Sequence, residues 1–209
     1  MALQLGDAAP NFTAETTEGM ITFHEYLGDG WGILFSHPAD FTPVCTTELG
    51  AVAKLRGEFA RRNTKVLALS VDPMESHERW AGDIEEVTGA RLNFPLIADP
   101  ELTVANLYGM LHPNASTTMT VRSVFIIGPD KKVKLMLTYP AATGRDFKEI
   151  LRVLTSLQLT AKHQVATPAD WREGEEVIIT MAVSNEEAAV RFPGYTTIKP
   201  YIRMAAQPV

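Results

Sequence analysis

The sequence predicts an α/β layered domain with a mixed central sheet covered by helices, and three observations support this class. Short apolar strand candidates alternate with amphipathic helix candidates in the order β-α-β-α-β-α-β-β-α. The strand candidates are almost continuously apolar, as expected for strands that are buried on both faces of a sheet. Gly128-Pro129-Asp130 is typical of a hairpin turn, so the last two strands are antiparallel and the sheet is mixed.

Each predicted element has a local signal. Runs rich in Ile, Val, Leu and Phe predict strands over residues 31–36, 65–71, 124–127 and 132–139, with an earlier extended segment around residues 11–14. Apolar residues at helical spacing predict helices over residues 46–62, 75–88, 100–108 and 146–159. After residue 159 the chain becomes polar, and we expect the helix to end there. We therefore predict two domains, residues 1–160 and a small C-terminal domain over residues 161–209.

Composition excludes several classes of function. The chain has 209 residues, with 19 Lys and Arg against 25 Asp and Glu, so its net charge of −6 argues against nucleic-acid binding. No apolar run approaches the ~18 residues of a membrane-spanning helix. The N-terminus has neither a basic region nor an apolar region like those of a signal peptide, so we expect a cytoplasmic protein. We expect no cofactor and no metal.

The single cysteine, Cys45, excludes an intrachain disulfide, a zinc ribbon and a CxxC redox pair. Thr42 is a favourable N-cap and Pro43 suits the first position of a helix, so Cys45 is predicted at the third position. There the free N–H groups and the positive end of the helix dipole favour the thiolate over the thiol. The alternative is that Cys45 is simply a small buried apolar residue.

Pro38-x-x-x-Thr42-x-x-Cys45 matches the active-site motif of the peroxiredoxins. The sequence over residues 36–48 resembles the one-cysteine subgroup in particular, and so do the segments at residues 28–32, 128–132, 139–145 and 170–171. The resemblance therefore covers nearly the whole chain. It implies a thioredoxin-like fold with a small C-terminal arm used in dimer contacts.

The resemblance also implies roles for seven residues. Cys45 is the peroxidatic nucleophile, the Thr42 hydroxyl hydrogen-bonds the peroxide, and Pro38 shields the pocket. Arg122 stabilises the thiolate and polarises the peroxide. The remaining three are expected in the binding pocket: Glu48 orients arginine donors, Arg145 is the second arginine of the subgroup, and His37 lines the pocket.

Structural explanations remain open for four of these residues. Arg122 also suits a surface position at the entry of a strand, and Arg145 suits a cap of the following helix. His37 is equally consistent with a buried structural histidine. Glu48 also suits the first turn of a helix, where a carboxylate complements the dipole.

The implied function is a thiol peroxidase that reduces hydrogen peroxide and alkyl hydroperoxides. Cys45 would become a sulfenic acid, and without a second cysteine an external thiol reductant must resolve it. The implied assembly is a homodimer, and a higher ring oligomer is left open. Two alternatives remain: a peroxide sensor or holdase chaperone with incidental turnover, and a cysteine hydrolase that uses Cys45 and His37.

The chain differs from some members of the subgroup at one position that matters for a second enzymatic activity. Some members of the subgroup are also phospholipases and carry a serine where this chain has Gly30. His24 and Asp130 match the partners of that serine, but they cannot form an acyl-enzyme without a nucleophile. We therefore predict that phospholipase activity is absent.

Overall fold

The structure is a computed structural model that describes residues 3–209. Its first compact unit ends at Phe147 and its second comprises Lys148–Val209. The strands of the first unit are β1 (Thr13–Thr16), β2 (Gly19–Thr22), β3 (Trp31–Ser36), β4 (Thr64–Ser70), β5 (Leu96–Ala98), β6 (Arg122–Ile127) and β7 (Val133–Tyr139). Its helices are α1 (Phe23–Leu27), α2 (Pro43–Lys54), α3 (Arg56–Arg61), α4 (Met74–Thr88) and α5 (Thr103–Leu107).

The seven strands form one mixed sheet in the order β2-β1-β5-β4-β3-β6-β7. β3 pairs in parallel with β4 and antiparallel with β6, and β6 continues through the hairpin into β7. Every residue of β3 and of β6 is buried, which confirms the prediction of a mixed sheet covered on both faces. α2, which carries Cys45, packs against α4.

The structure corrects several predicted boundaries. The apolar spacing gave a helix over residues 46–62, whereas the capping signal of Thr42 and Pro43 gave its start, which is at Pro43. The helix is divided at Leu55 into α2 and α3, and Gly57, a poor helix former, is the second residue of α3. The sequence patterns missed β2 and α1, because elements of four or five residues are too short to show a period.

The second unit is a small layer of helix and antiparallel sheet. It contains the helix α6 (Phe147–Lys162), which starts at the last residue of the first unit, then β8 (Val165–Ala166), β9 (Val177–Ile179), α7 (Asn185–Arg191), β10 (Thr196–Lys199) and β11 (Ile202–Ala205). The sheet order is β10-β11-β9-β8. Trp171 is fully buried in its apolar cluster, beside Val177 and Ile179. The expected end of the helix at residue 159 is wrong, because α6 continues to Lys162.

The compact units divide at a different place from the predicted domains. The prediction of domains 1–160 and 161–209 assigns most of α6 to the first, whereas all of α6 after Phe147 lies in the second unit. The dimerisation role of the C-terminal segment stays a prediction. Within the described residues, no helix combines the length and the apolar character needed to cross a membrane.

Candidate active site

The first turn of α2 carries Cys45. Thr42 occupies the N-cap position with an extended backbone, Pro43 is the first helical residue, and Cys45 is therefore the third. This is the position expected from the sequence, where a side chain lies close to N–H groups that have no acceptor within the helix. The Thr42 hydroxyl does not cap the helix. It donates to the Ala39 carbonyl oxygen at 2.8 Å, which leaves its own oxygen available as an acceptor.

The sulfur of Cys45 is buried and contacts an arginine. Cys45 has no exposed surface, and Arg122 Nη1 lies 3.3 Å from its Sγ. Arg122 is the first residue of β6 and is itself buried, so it is not the surface residue that the sequence left open. Its Nε and Nη2 both donate to the Ala141 carbonyl oxygen, at 2.8 and 2.7 Å, which fixes the plane of the guanidinium group.

Glu48 joins two arginines one helical turn after Cys45. Arg122 Nη1 donates to Glu48 Oε2 at 2.6 Å. Arg145 donates to the same carboxylate through its backbone N, its Nε and its Nη2, at 2.8, 2.9 and 2.7 Å. Arg145 Nη1 donates to the Ser123 carbonyl oxygen, so Arg145 contacts Glu48 rather than the sulfur.

The charges of this cluster leave an excess positive charge beside the sulfur of Cys45. Burial raises the pKa of the Glu48 carboxyl, but the hydrogen bonds and positive charges of Arg145, together with the charge of Arg122, outweigh burial and hold that pKa below its usual value. Glu48 is therefore ionised between two guanidinium groups, which leaves one net positive charge. The Cys45 sulfur lies beside that charge, 3.3 Å from Arg122 Nη1.

The flank of α2 is tied to α4 by a tryptophan. Thr46 Oγ1 donates to the Thr42 carbonyl oxygen at 2.9 Å and accepts from Trp80 Nε1 at 3.2 Å. The residue before the N-cap, Phe41, has a φ of 53°, a left-handed conformation that is strained for an aromatic residue. These contacts hold the entry into α2 in one orientation.

His37 lies beyond Trp80, with 5.3 Å between the two ring centroids. His37 Nε2 is 3.1 Å from Asp40 Oδ1, and the second oxygen of Asp40 is 2.7 Å from Nδ1 of His77 on α4. Both rings are fully buried, and the structure brings Pro38 into the same buried loop. No hydrogen bond joins His37 to Cys45 within the described part of the chain, so His37 belongs to a neighbouring cluster.

Sequence reasoning missed two members of this cluster. Asp40 lies within the motif, between His37 and Cys45, but the motif assigns it no chemistry. His77 is buried on α4 with Trp80 and Ile84. Their spacing of three and seven residues was the available signal that His77 faces inward.

One group of side chains in the described residues has the donor types of a metal site. The ligand atoms of His37, Asp40 and Asp72 lie within 4.8 Å of one another. They are already hydrogen-bonded, since His37 pairs with Asp40, and Asp72 Oδ2 accepts from Ser70 Oγ and from the Asp40 backbone N. The expectation of no metal and no cofactor stays a prediction.

Fold and site together define a thiol-based enzyme of the thioredoxin-like class. The chain matches the AhpC/TSA family model over residues 5–136 and the C-terminal domain of 1-Cys peroxiredoxin over residues 156–194. A 1-Cys peroxiredoxin of Dictyostelium discoideum is 53% identical over 207 residues, covering 99% of this chain and 86% of the relative.

Two solved structures are similar along their whole length. Peroxiredoxin 6 of Arenicola marina superposes with a TM-score of 0.94 at 47% identity, covering 99% of both chains. The yeast mitochondrial 1-Cys peroxiredoxin, described with a thiol resolving mechanism via glutathione/thioredoxin systems, has a TM-score of 0.92 at 50% identity, covering 98% of this chain and 99% of its own. The chain belongs to the AhpC/TSA family and, within it, to the 1-Cys peroxiredoxins, which are thiol-dependent peroxidases.

Proposed function

We propose that this chain reduces hydrogen peroxide and organic hydroperoxides through a sulfenic acid formed at Cys45. The observation that carries the proposal is the 3.3 Å contact between Arg122 Nη1 and the buried sulfur, at the third position of α2. A helix N-terminus and a fixed guanidinium group both favour a thiolate. Thiolate is the form of cysteine that attacks a peroxide.

The reaction balances with one thiolate and one hydroperoxide. The sulfur lone pair attacks the terminal peroxide oxygen, an S–O bond forms and the O–O bond breaks. The second oxygen leaves with the bonding electrons and takes up a proton, giving water or an alcohol. Cys45 is oxidised by two electrons to the sulfenic acid. Donors aimed at the leaving oxygen lower this barrier, and each contributes on the order of 3 kcal/mol.

Three residues act on the peroxide in this proposal. Arg122 stabilises the thiolate and polarises the O–O bond. The Thr42 hydroxyl, whose proton is held by the Ala39 carbonyl, accepts a hydrogen bond from the peroxide through its oxygen. Pro38 shields the pocket from water.

The other three predicted residues support these. Glu48 orients Arg122 through the 2.6 Å contact, and Arg145 holds Glu48 in turn. The ring of Phe35 lies 4.9 Å from the Arg145 guanidinium carbon, which keeps this arginine buried against an apolar face. His37 lines the pocket on the side of Trp80.

The sulfenic acid is resolved by an external thiol reductant, because Cys45 is the single cysteine. A first thiol condenses with the sulfenic acid, releasing water and forming a mixed disulfide. A second thiol then reduces that disulfide and restores Cys45. The yeast structure described with glutathione/thioredoxin systems supports small or protein thiols as this class of reductant.

Phospholipase activity is absent in this proposal. Gly30 offers no nucleophile, and a Cβ added there would lie 2.8 Å from the Asn63 carbonyl oxygen. The expected partners are engaged elsewhere: His24 Nε2 is 2.9 Å from the Ala9 carbonyl oxygen and Asp130 pairs with Lys134 at 2.6 Å. We expect no fatty-acid release from phospholipid vesicles by the purified protein. Release above that of a catalase control would contradict the proposal.

The assembly and the location are also proposals. We propose a homodimer, supported by the match of residues 156–194 to the C-terminal domain of 1-Cys peroxiredoxins. Sedimentation velocity that gives a single species of monomer mass would contradict it. We propose a cytoplasmic location, which imaging of the chain with a small tag at its C-terminus in its native cell tests. The alternative is a mitochondrial location, which is that of the yeast relative.

Stopped-flow tryptophan fluorescence tests the central proposal. Reduced protein mixed with hydrogen peroxide should show a second-order phase orders of magnitude faster than free cysteine, and Trp80 is close enough to report it. Cys45→Ser is the control and should lack the phase. Sustained consumption of peroxide with dithiothreitol supports a peroxidase. A stoichiometric burst followed by a change in oligomer size supports the sensor or chaperone alternative.

A further inference from the structure

Asp40 lies between two buried imidazole rings and binds both of them. Its Oδ1 is 3.1 Å from His37 Nε2, and its Oδ2 is 2.7 Å from His77 Nδ1. The side chains of both histidines are fully buried and that of Asp40 is 1% exposed. Ser70 Oγ is 3.4 Å from Asp40 Oδ1, at the edge of hydrogen-bonding distance. This Asp40 cluster is separate from the arginine pair that contacts Cys45.

Each ring nitrogen of His77 faces its own partner. Its Nδ1 faces Asp40 Oδ2 and its Nε2 faces the Ile97 carbonyl oxygen at 3.2 Å, so it has an acceptor at each nitrogen. Burial raises the pKa of Asp40, but the hydrogen bonds from His37 and His77 outweigh burial and hold that pKa well below its usual value. The carboxyl is therefore ionised and only accepts. Neither of the two partners of His77 can therefore donate to it.

The ring of His37 is neutral. Burial lowers the pKa of His37, and the positive charges of His77 and Arg145 add to that effect, against the hydrogen bond to Asp40. The neutral ring donates from Nε2 to Asp40, so its Nδ1 carries a lone pair. That atom is buried and has no hydrogen-bond partner within residues 3–209. A buried acceptor without a partner is unfavourable, and a ligand with an O–H group would satisfy it.

His37 is connected to the first turn of α2 through neighbouring side chains. Its carbonyl oxygen accepts from Thr120 Oγ1 at 2.7 Å, two residues before Arg122. Its ring packs on Trp80, whose indole N–H donates to Thr46, the neighbour of Cys45. Asp40 itself lies in the loop before α2, five residues before Cys45.

We propose that Asp40 and His77 are positioning residues for peroxide reduction, which hold His37 as the neutral Nε2–H tautomer so that its Nδ1 accepts one O–H of bound hydrogen peroxide while the other O–H donates to Thr42. The inference rests on the proposed function, in which His37 lines the peroxide pocket. The carboxylate fixes the tautomer and the orientation of the ring. In this proposal His77 donates from both nitrogens, to Asp40 and to the Ile97 carbonyl oxygen, and its imidazolium ion balances the carboxylate. His37 therefore does not take a second proton and lose its acceptor.

Asp40→Asn inverts this arrangement without changing the shape of the side chain. If the amide oxygen keeps the bond from His77, the amide N–H₂ group faces His37 Nε2 and forces the Nδ1–H tautomer. We expect ¹⁵N NMR of the histidine rings to show that inversion, and the second-order rate of Cys45 oxidation to decrease by about tenfold or more. The matched control is Asp72→Asn. Its amide oxygen still accepts from Ser70 and from the Asp40 backbone, and it touches neither ring.

His77→Gln tests the charge separately. The groups that face His77 are Asp40 and the Ile97 carbonyl oxygen, with His37 at a ring distance of 6.3 Å. Asp72 lies behind Asp40, and Arg145 acts on His37 by its charge. Without the imidazolium ion, Asp40 draws a second proton onto His37. The oxidation rate of the variant should therefore decrease, relative to the unmodified chain, as pH falls below about 6.5.

A measurement on the unmodified chain tests the inference even if the variants do not fold. In the unmodified chain at pH 7, ¹⁵N shifts should show His77 protonated on both nitrogens and His37 on Nε2 alone. An Nδ1–H tautomer at His37 would overturn the inference, as would equal oxidation rates for Asp40→Asn and Asp72→Asn or parallel pH profiles for His77→Gln. If the unmodified chain itself reacts no faster than free cysteine, the proposed function fails instead.

Discussion

Two buried polar clusters lie near the first turn of α2, and they differ in the kind of cation they use. The first joins Glu48 to Arg122 and Arg145, and it touches the sulfur of Cys45 directly. The second joins Asp40 to His37 and His77, and it reaches the same turn through Trp80 and Thr46. Each has one carboxylate between two nitrogenous side chains.

The difference shows what each cluster can contribute. Arginine stays charged at any physiological pH, so the Glu48 cluster supplies a constant positive field at the sulfur. Histidine gains or loses a proton near neutral pH, so the state of the Asp40 cluster depends on pH. A thiolate needs the constant field, whereas a hydrogen-bond acceptor for a hydroperoxide needs a neutral ring nitrogen.

The largest expected effect comes from removing the sulfur that the first cluster contacts. Cys45→Ser should abolish peroxide consumption with dithiothreitol, because a serine hydroxyl is not ionised at neutral pH and cannot form a sulfenic acid. The variant should keep the melting temperature of the unmodified chain within a few degrees, since oxygen replaces sulfur at one buried site. Turnover retained by this variant would refute the assignment of Cys45.

The next effect is on stability and concerns the carboxylate of the first cluster. Glu48→Gln leaves two buried guanidinium groups without a counter-charge, and breaking such a buried pair costs about 3–5 kcal/mol of the free energy of unfolding. Urea denaturation followed by circular dichroism measures it. The control is Glu58→Gln, which removes the charge that pairs with Arg61 and Arg62 near the surface and should change stability much less. Similar losses in both variants would contradict the special role of the buried cluster.

A smaller effect is expected from the arginine that touches the sulfur. Arg122→Ala removes the positive charge at 3.3 Å from Sγ, and Cys45 oxidation should slow by about tenfold or more, equivalent to about 1.4 kcal/mol. Its pH–rate profile should move to higher pH, because the thiolate loses a stabilising charge. Arg122→Lys keeps the charge without the planar group, and its rate of Cys45 oxidation should lie between those of the unmodified chain and Arg122→Ala. An unchanged pH profile in Arg122→Ala would argue against this role.

The smallest expected effect is a dependence of the free energy of unfolding on pH, which arises from the histidine cluster. Because the pKa of His37 is lowered on folding, the unfolded chain binds more protons than the folded chain just below pH 6.5. The free energy of unfolding should therefore decrease as pH falls below about 6.5, by at most about 1.4 kcal/mol per pH unit for one proton. His37→Gln should reduce that slope. A slope identical to that of the unmodified chain would show that His37 does not titrate on unfolding.

The lowered pKa of Glu48 also makes the free energy of unfolding decrease as pH falls, but in a more acidic range. Its ionised form stabilises the fold above the ordinary range of a carboxyl, and this contribution is lost as pH falls through the lowered pKa. The arginine cluster should therefore keep its charges at pH values where an ordinary carboxyl is already protonated. Acid unfolding of Glu48→Gln compared with the unmodified chain tests this.

Local signals in the sequence were sufficient for the main elements. The apolar runs of β3 and β6 predicted buried strands, because strands covered on both faces lack alternation. Thr42 and Pro43 predicted the start of α2 and therefore the helical position of Cys45. The peroxiredoxin motif named the family, which the comparisons confirmed.

These local signals could not predict contacts between residues that are far apart in the sequence. Arg122 and Arg145 are 77 and 97 residues from Cys45 and Glu48, respectively, and nothing in the local sequence states that they meet. The resemblance suggested that both arginines belong to the site, but only the folded chain shows that Arg145 contacts Glu48 and not the sulfur. Likewise, the Thr42 hydroxyl donates to Ala39 instead of capping α2.

The sequence by itself therefore determined the fold class and the place of the single cysteine on a helix, because periodicity and capping are properties of neighbouring residues. Tertiary structure decided which charges lie against one another and that Nδ1 of His37 has no partner among the described residues. Those properties depend on burial and on side chains brought together from separate strands and helices. His77 illustrates the limit: its spacing on α4 placed it inside, but only the packing of α4 shows that it meets Asp40.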